Sequence, residues 1–225
     1  MEAKDIFFNC LKSEFAPKLR AIGFSGSGQN FRRFRDEVIQ VINIQVNKYG
    51  DSCCVNLGLH LTFLPIAGES PLTNPKKLRA SSCEFRWRLA PPGATDYWWG
   101  YEESLAAHLP FGMEGGKGRE PIEKARDLIK TYEAYGEPRF QSVMTVEDIA
   151  QLFQPDDIGS GKPLPLYGYT HIRGALTMAR IQRYLGNEKL TRQFAEVGLE
   201  KIGKAKVLRR EFEKILVDTI NVDPE

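Results

Sequence analysis

Two consecutive strands are predicted by the alternation of apolar and polar residues between positions 38 and 63. In the first strand the apolar row is Val38, Ile42, Ile44 and Val46, and the opposite row contains Asn43, Gln45 and Asn47. In the second strand the apolar row is Cys53, Val55, Leu57, Leu59, Leu61 and Phe63, and the opposite row contains Asn56, His60 and Thr62. Since side chains alternate between the two faces of a strand, we predict an antiparallel hairpin that is covered on one side only.

Helical patterns lie on both sides of this strand region. Apolar residues recur at helical spacing from Asp5 to Ile22, and Gly23 stands where a left-handed C-terminal cap belongs. The chain after residue 119 is helical again, with Pro121 at one helix start and Thr145 at another. The pattern therefore predicts an α+β fold, in which an antiparallel sheet is backed by helices and followed by a C-terminal helical subdomain.

Composition shifts divide the chain into three parts. We predict a sheet domain over residues 1–153, a linker rich in proline and glycine over 154–170, and a helical subdomain over 171–225. In the sheet domain we expect Leu57, Leu59 and Phe85 to be buried between the sheet and a helix, because they fall on the apolar rows.

Several short motifs resemble a known family. LRAIGF, NFRRF, VINIQVNKYG, VNLGL, CEFRWRL and DYWW follow one another in this order between residues 10 and 105. In these blocks the chain resembles the bacterial family catalogued as domain of unknown function 4304. The resemblance implies a shared fold. It implies no activity, substrate or catalytic residue, so the residues must be interpreted by their own chemistry.

Charge and cysteine content narrow the class of protein. The 31 basic and 29 acidic side chains give a net charge of +2, which argues against a chain that depends as a whole on attraction to polyanions. The first residues mix charges with apolar side chains, so we predict neither a signal peptide nor a membrane span and expect a cytoplasmic protein. The four cysteines form no CxxC pair, and we expect them to be reduced packing residues.

The polar face of the predicted sheet is the candidate ligand-binding surface. It would gather amides, guanidinium groups and an imidazole from Arg33, Arg35, Asn43, Gln45, Asn56, His60, Arg86 and Arg88. Such a face could hold an anion, or a single-stranded nucleic acid with Trp98 or Trp99 as a stacking platform. The predicted ligand-binding residues are Asn43, Gln45, Asn56, His60, Arg86, Arg88, Trp98 and Trp99. The simpler alternative is a solvated sheet face, which antiparallel sheets commonly have.

Other candidate chemistry is weaker. Residues 111–118 are rich in glycine and precede a helix, but Phe111 and Gly118 replace the first glycine and the hydroxyl residue of a phosphate loop, so a flexible loop is favoured. Residues 23–28 lie between a helix and a strand, the wrong order for a dinucleotide loop. His60, His108 and His171 have no ligand partners at metal-binding spacing, and we predict no metal and no cofactor.

A basic run lies near the C-terminus. Its members are Lys201, Lys204, Lys206, Arg209, Arg210 and Lys214. The run could touch nucleic acid or an acidic partner. Interspersed Glu200, Glu211 and Glu213 instead favour a solvated face held by i, i+4 ion pairs.

Two classes of function follow. The first is a non-catalytic binding module, a neutralising partner or accessory subunit, whose partner is an unknown protein or an anionic ligand and not a membrane. The second is an enzyme acting on a phosphate-containing substrate with His60, Arg86 and Arg88, or a nucleic-acid binder, which is possible but not favoured. A deep cleft that joins His60 to the arginines would support the enzyme, whereas a flat open face would support binding.

Overall fold

The computed structural model describes residues 1–66, 70–94, 96–101, 114–161, 166, 170–204 and 206–220. The chain divides into two compact units, Met1–Val143 and Met144–Glu225. The first unit contains the sheet with helices and the second contains helices, which confirms the α+β fold predicted from the sequence.

The first unit is built around one sheet. Its strands are β1 (Ser25–Ser27), β2 (Asn30–Arg35), β3 (Val38–Val46), β4 (Ser52–Leu61), β5 (Phe85–Arg88), β6 (Tyr97–Gly100) and β7 (Glu114–Gly115). They lie in the order β1-β2-β3-β4-β6-β7, and β5 also pairs with β4. All these pairings are antiparallel except the parallel pairing of β6 with β7. β4 is long enough to pair with β3 along one edge and with β5 and β6, one after the other, along its second edge.

One face of the sheet is covered by helices and forms the main core. Ile42 lies opposite Leu57, and Leu57 lies opposite Trp87, so the apolar row continues across three strands. Leu57, Leu59 and Phe85 are fully buried in this layer, as the sequence predicts. Aromatic contacts join the sheet to the helices. The ring centres of Phe15 and Phe31 are 6.5 Å apart, and those of Phe140 and Trp87 are 5.4 Å apart.

Two interrupted helices supply this cover. The helical segments are α1 (Ala3–Cys10), α2 (Ala16–Ala21), α3 (Pro121–Thr131) and α4 (Glu137–Gln141), with π-helical turns at Leu11–Phe15 and Tyr132–Gly136. Each π turn is followed within two residues by a proline, Pro17 or Pro138. Proline cannot donate a backbone hydrogen bond and clashes with the preceding turn of an α-helix, so a locally wider turn lets the helix continue past it.

The opposite face of the sheet is divided into two parts. At one end, the chain between β4 and β5 crosses it and forms a small apolar cluster. The cluster consists of Ile39, Val41, Leu78, Ala80 and Cys83, with Ile66 and Leu72 packed against it. The approach is close at Gly58, where an added Cβ would lie 2.7 Å from the Cys83 sulfur. A sheet covered on one side only was therefore a wrong prediction at this end, because the loop carries its own apolar residues.

The second unit is described by its helices. They are α5 (Val146–Ala150), α6 (Pro155–Ser160), α7 (His171–Tyr184), α8 (Glu188–Lys201) and α9 (Lys206–Ile220). α7 and α8 form a hairpin, and α9 packs against α8 at Gly198, where a Cβ would lie 2.2 Å from the Phe212 ring. Helix α6 lies inside the 154–170 stretch that composition suggested as a linker.

Candidate functional site

Four polar side chains line up across the open end of the second sheet face. Asn30 lies opposite Asn43, Asn43 opposite Asn56, and Asn56 opposite Arg88, so β2, β3, β4 and β5 each contribute one member. We call Asn30, Asn43, Asn56 and Arg88 the amide row. Adjacent strands lie about 4.8 Å apart, which gives the row a length of about 14 Å.

Hydrogen bonds connect the whole row. Arg88 Nη1 donates to Asn56 Oδ1 at 2.6 Å, Asn56 Nδ2 donates to Asn43 Oδ1 at 3.0 Å, and Asn43 Nδ2 donates to Asn30 Oδ1 at 3.0 Å. A guanidinium group can only donate, so it fixes the Asn56 oxygen toward Arg88 and the Asn56 nitrogen toward Asn43. The same reasoning then orients Asn43 and Asn30. The row is therefore a directional chain of donors that starts at Arg88.

The chain also branches toward solvent. Asn56 Nδ2 donates to Gln45 Oε1 at 2.9 Å, and Gln45 is exposed. Because the Gln45 oxygen is turned to Asn56, its amide nitrogen forms the free end of this branch. Asn30 and Asn43 are half-buried, and each retains N–H groups that the row does not use. The accessible ends of the chain are thus amide donors.

Arg88 is held on several sides. Its Nε lies 3.3 Å from Asp96 Oδ1, its guanidinium carbon lies 5.4 Å from the Trp98 ring centre, and Nη1 contacts the Cys54 sulfur. The side chain is 28% exposed. Asp96 therefore compensates part of the arginine charge, and the Trp98 ring lies within cation–π distance of the guanidinium group.

The cysteine beside Arg88 is not an activated nucleophile. Burial raises the pKa of Cys54 to about 12, although the Arg88 charge acts in the opposite direction. A thiol with that pKa stays protonated at neutral pH and reacts slowly. Burial also raises the pKa values of Cys53 and Cys83. All four cysteines are free and buried, in agreement with the role in packing that the sequence suggests.

His60 lies on the predicted face, but the loop between β4 and β5 covers it. The imidazole is fully buried, Nδ1 accepts a hydrogen bond from the Glu84 N–H at 3.1 Å, and Nε2 lies 3.3 Å from the Leu64 carbonyl oxygen. The first contact leaves the proton on Nε2, which donates to Leu64. His60 is four residues along β4 from Asn56, about 13 Å away. It therefore does not join the amide row, contrary to the grouping predicted from the sequence.

Two more of the predicted ligand contacts have other positions. Arg86 is half-buried, and its Nη1 donates to the Ser81 carbonyl at 2.8 Å, which ties the loop to the sheet. Trp99 lies opposite Cys53 on the helix-covered face, is fully buried, and donates from Nε1 to Asp127 at 3.0 Å. It cannot serve as a stacking platform there. Asn43, Gln45, Asn56, Arg88 and Trp98 are the predicted residues that the structure brings together.

The prediction that Arg33 and Arg35 belong to the polar face is wrong. Arg33 lies opposite Gln40 and Arg35 opposite Val38, so both belong to the helix-covered face. Arg33 is buried, donates to Gln40 at 2.7 Å and forms an ion pair with Glu137 at 2.8 Å. The pattern was ambiguous because β2 has one phenylalanine in each row.

Sequence reasoning missed Asn30, the last member of the row. A signal was present, because a tight turn at residues 36–37 fixes the register of β2 against β3 and so places Asn30 opposite Asn43. Asp96 was missed too. It reaches Arg88 through the connection between β5 and β6, which has no periodicity.

The glycine-rich stretch before α3 has a structural explanation. The Asp127 carboxylate accepts hydrogen bonds from the Lys117 N–H and from Trp99 Nε1, both at 3.0 Å to the same oxygen. A Cβ at Gly116 would lie 2.0 Å from the Trp99 ring. A carboxylate at this loop would repel a phosphate. Residues 111–113 and His108 lie outside the described residues. Within the described ranges, no group of three His, Cys, Asp or Glu could hold a metal ion.

Comparison with models of protein families gives a match to part of the chain. Residues 15–108 match a family model described as Domain of unknown function (DUF4304), which confirms the resemblance seen in the motifs. The matched segment includes every member of the amide row. The comparisons with curated proteins and with solved structures found no match. Among the helices that the structure describes, none is sufficiently long and apolar to cross a membrane.

Proposed function

We propose that the protein is a non-catalytic binding module and that its ligand contacts the amide row at Asn30 and Asn43 and the exposed amide of Gln45. The observation that carries the proposal is the direction of the hydrogen-bond chain. Arg88 donates into the row, so the accessible ends at Gln45 and Asn30 donate as well. Aligned amides polarise one another and extend the positive potential of the guanidinium group along the row.

The ligand chemistry follows from these donors. An anionic group rich in oxygen acceptors, such as a phosphate or a carboxylate, matches N–H groups that converge from adjacent strands. Partial compensation of Arg88 by Asp96 favours a ligand of low charge over a long polyanion. The proposed role remains that of a bacterial, cytoplasmic neutralising partner or accessory subunit. The enzyme alternative gains no support from His60, because backbone groups contact both of its ring nitrogens.

The direct test is side-chain amide NMR of the full chain during titration with inorganic phosphate. The amide resonances of Gln45, Asn43 and Asn30 should shift together with one dissociation constant. The double variant Asn43→Ala with Gln45→Ala should lose these shifts. A matched control, Gln193→Ala, removes an exposed amide from α8 and should leave the binding unchanged.

A second readout identifies the natural ligand. The wild-type chain and the double variant are purified from the protein's own host, and bound molecules are compared by mass spectrometry. A species present with the wild type and the control but absent from the double variant would support the proposal. Phosphate shifts confined to residues outside the row, together with identical copurifying species, would overturn it.

A further inference from the structure

The outer face of α9 carries an unusual stripe. Val207, Arg210, Lys214 and Val217 follow one another at i, i+3, i+7 and i+10, which places them on one side of a helix. All four are exposed, with the two valines at 65% and 57%. The stripe has an apolar residue at each end and two cations in the middle, over a length of about 15 Å.

Two of the acids of α9, Glu211 and Asp218, pair with another helix and not with this stripe. Glu211 forms an ion pair with Arg180 of α7 at 2.8 Å, and Asp218 forms one with Arg183 of α7 at 3.0 Å. Both carboxylates are therefore engaged in ion pairs with α7 inside the second unit. No ion pair joins Arg210 or Lys214 to another described residue. The i, i+4 pairing that the sequence suggested for Glu211 is replaced by pairing between helices.

We propose that the α9 stripe docks an acidic amphipathic helix of a partner protein. Such a helix would place acidic residues against Arg210 and Lys214 and apolar residues against Val207 and Val217. A second copy of this chain does not fit, because an antiparallel copy would bring Arg210 against Lys214. A nucleic acid fits less well, because it would leave both valines unmatched.

The test uses the full chain and a labelled synthetic helical peptide. The successive a, d, a and d positions of the peptide carry leucine, glutamate, glutamate and leucine, which matches the order of the α9 stripe. A scrambled peptide of the same composition is the control. We expect fluorescence anisotropy to show binding of the patterned peptide only. The double variant Arg210→Glu with Lys214→Glu should bind roughly tenfold more weakly, because it converts two weak attractions into repulsions.

A matched variant controls for net charge. Lys189→Glu with Arg192→Glu makes the same charge change on exposed positions of α8 and should retain binding. Val207→Ser with Val217→Ser tests the apolar ends and should weaken binding while the fold, checked by circular dichroism, is unchanged. Equal binding of the scrambled peptide, or equal loss in the α8 variant, would overturn the proposal. So would a stripe that binds a single-stranded oligonucleotide and not the peptide.

Discussion

Two arginines on opposite faces of the same sheet have different surroundings. Arg33 and Arg88 each pair with a carboxylate and with an amide, Glu137 and Gln40 for the first and Asp96 and Asn56 for the second. Around Arg33 the network closes on itself beneath the helices, because Gln40 goes on to donate to the Phe140 carbonyl at 2.9 Å. Around Arg88 the network continues from strand to strand and ends at the half-buried amide of Asn30 and the exposed amide of Gln45.

The difference separates a structural network from a candidate site. The Arg33 side chain is 1% exposed, whereas Arg88 is 28% exposed. The Arg33 network joins β2 and β3 to α4, and Tyr132 adds a hydrogen bond to Glu137 at 2.7 Å. A polar network with both ends inside the protein can only hold it together, whereas one that ends in unused donors at the surface can also bind.

The largest effect should come from removing the closed network. Arg33→Met would leave Glu137 without its cation and Gln40 without a donor, at a cost of about 3–5 kcal/mol of unfolding free energy. All three tryptophans lie in the first unit, so urea denaturation followed by tryptophan fluorescence reports on this unit. A change of less than about 1 kcal/mol would mean that the network is not closed as described.

A substitution of an apolar residue between the sheet and the helices gives a reference for the loss of unfolding free energy in Arg33→Met. Leu59→Ala should cost about 2–5 kcal/mol, because Leu59 is fully buried between the sheet and the helices. The same fluorescence measurement applies. An unchanged midpoint would place Leu59 outside the core and contradict the register of β4.

The open network should contribute less to stability. Arg88→Met should cost about 1–2 kcal/mol, since the lost hydrogen bond and ion pair are partly exposed. Its main effect should be on the row, because Asn56, Asn43 and Asn30 lose the group that fixes their orientation. NMR should show broadened or doubled side-chain amide signals for these three residues. Unaltered signals would mean that Arg88 does not direct the row.

The smallest effect concerns Cys54 and is confined to alkaline pH. Its pKa is raised from 9.0 to about 12, so its contribution to stability is complete below pH 9 and is lost as the pH rises toward 12. The unfolding free energy of the wild type should therefore fall more steeply across this range than that of Cys54→Ala. Identical slopes, or rapid labelling of native Cys54 by a thiol reagent at neutral pH, would contradict the raised pKa.

The alternation of apolar and polar residues predicted side-chain faces correctly in strands that have one apolar row and one polar row. In β3 and β4 the alternation assigned Asn43, Gln45 and Asn56 to one face and Leu57 and Leu59 to the other. It did not assign Arg33, because β2 has no apolar row.

The local sequence pattern does not predict which residues are buried by a segment that is irregular or distant along the chain. His60 is covered by a loop without periodicity, and the ion-pair partner of Arg33 is 104 residues away along the chain. The alternation therefore predicts the face of the sheet on which His60 lies, but it does not predict that a loop buries the residue there. Of the amide row, the alternation assigned Asn43, Asn56 and Arg88 to one face, whereas Asn30 was missed.

The shared second edge of β4 has a consequence for how such a site can change. β5 and β6 pair with successive parts of β4, so the connection between them is free of the sheet's own register. That connection ends at Asp96, which pairs with Arg88, and β6 then places Trp98 beside the guanidinium group. Insertions or deletions there would replace the neighbours of Arg88 while the ladder of strands stays intact. We therefore expect the surroundings of Arg88 to be easier to change than the positions of the row's amides, which the strand registers fix.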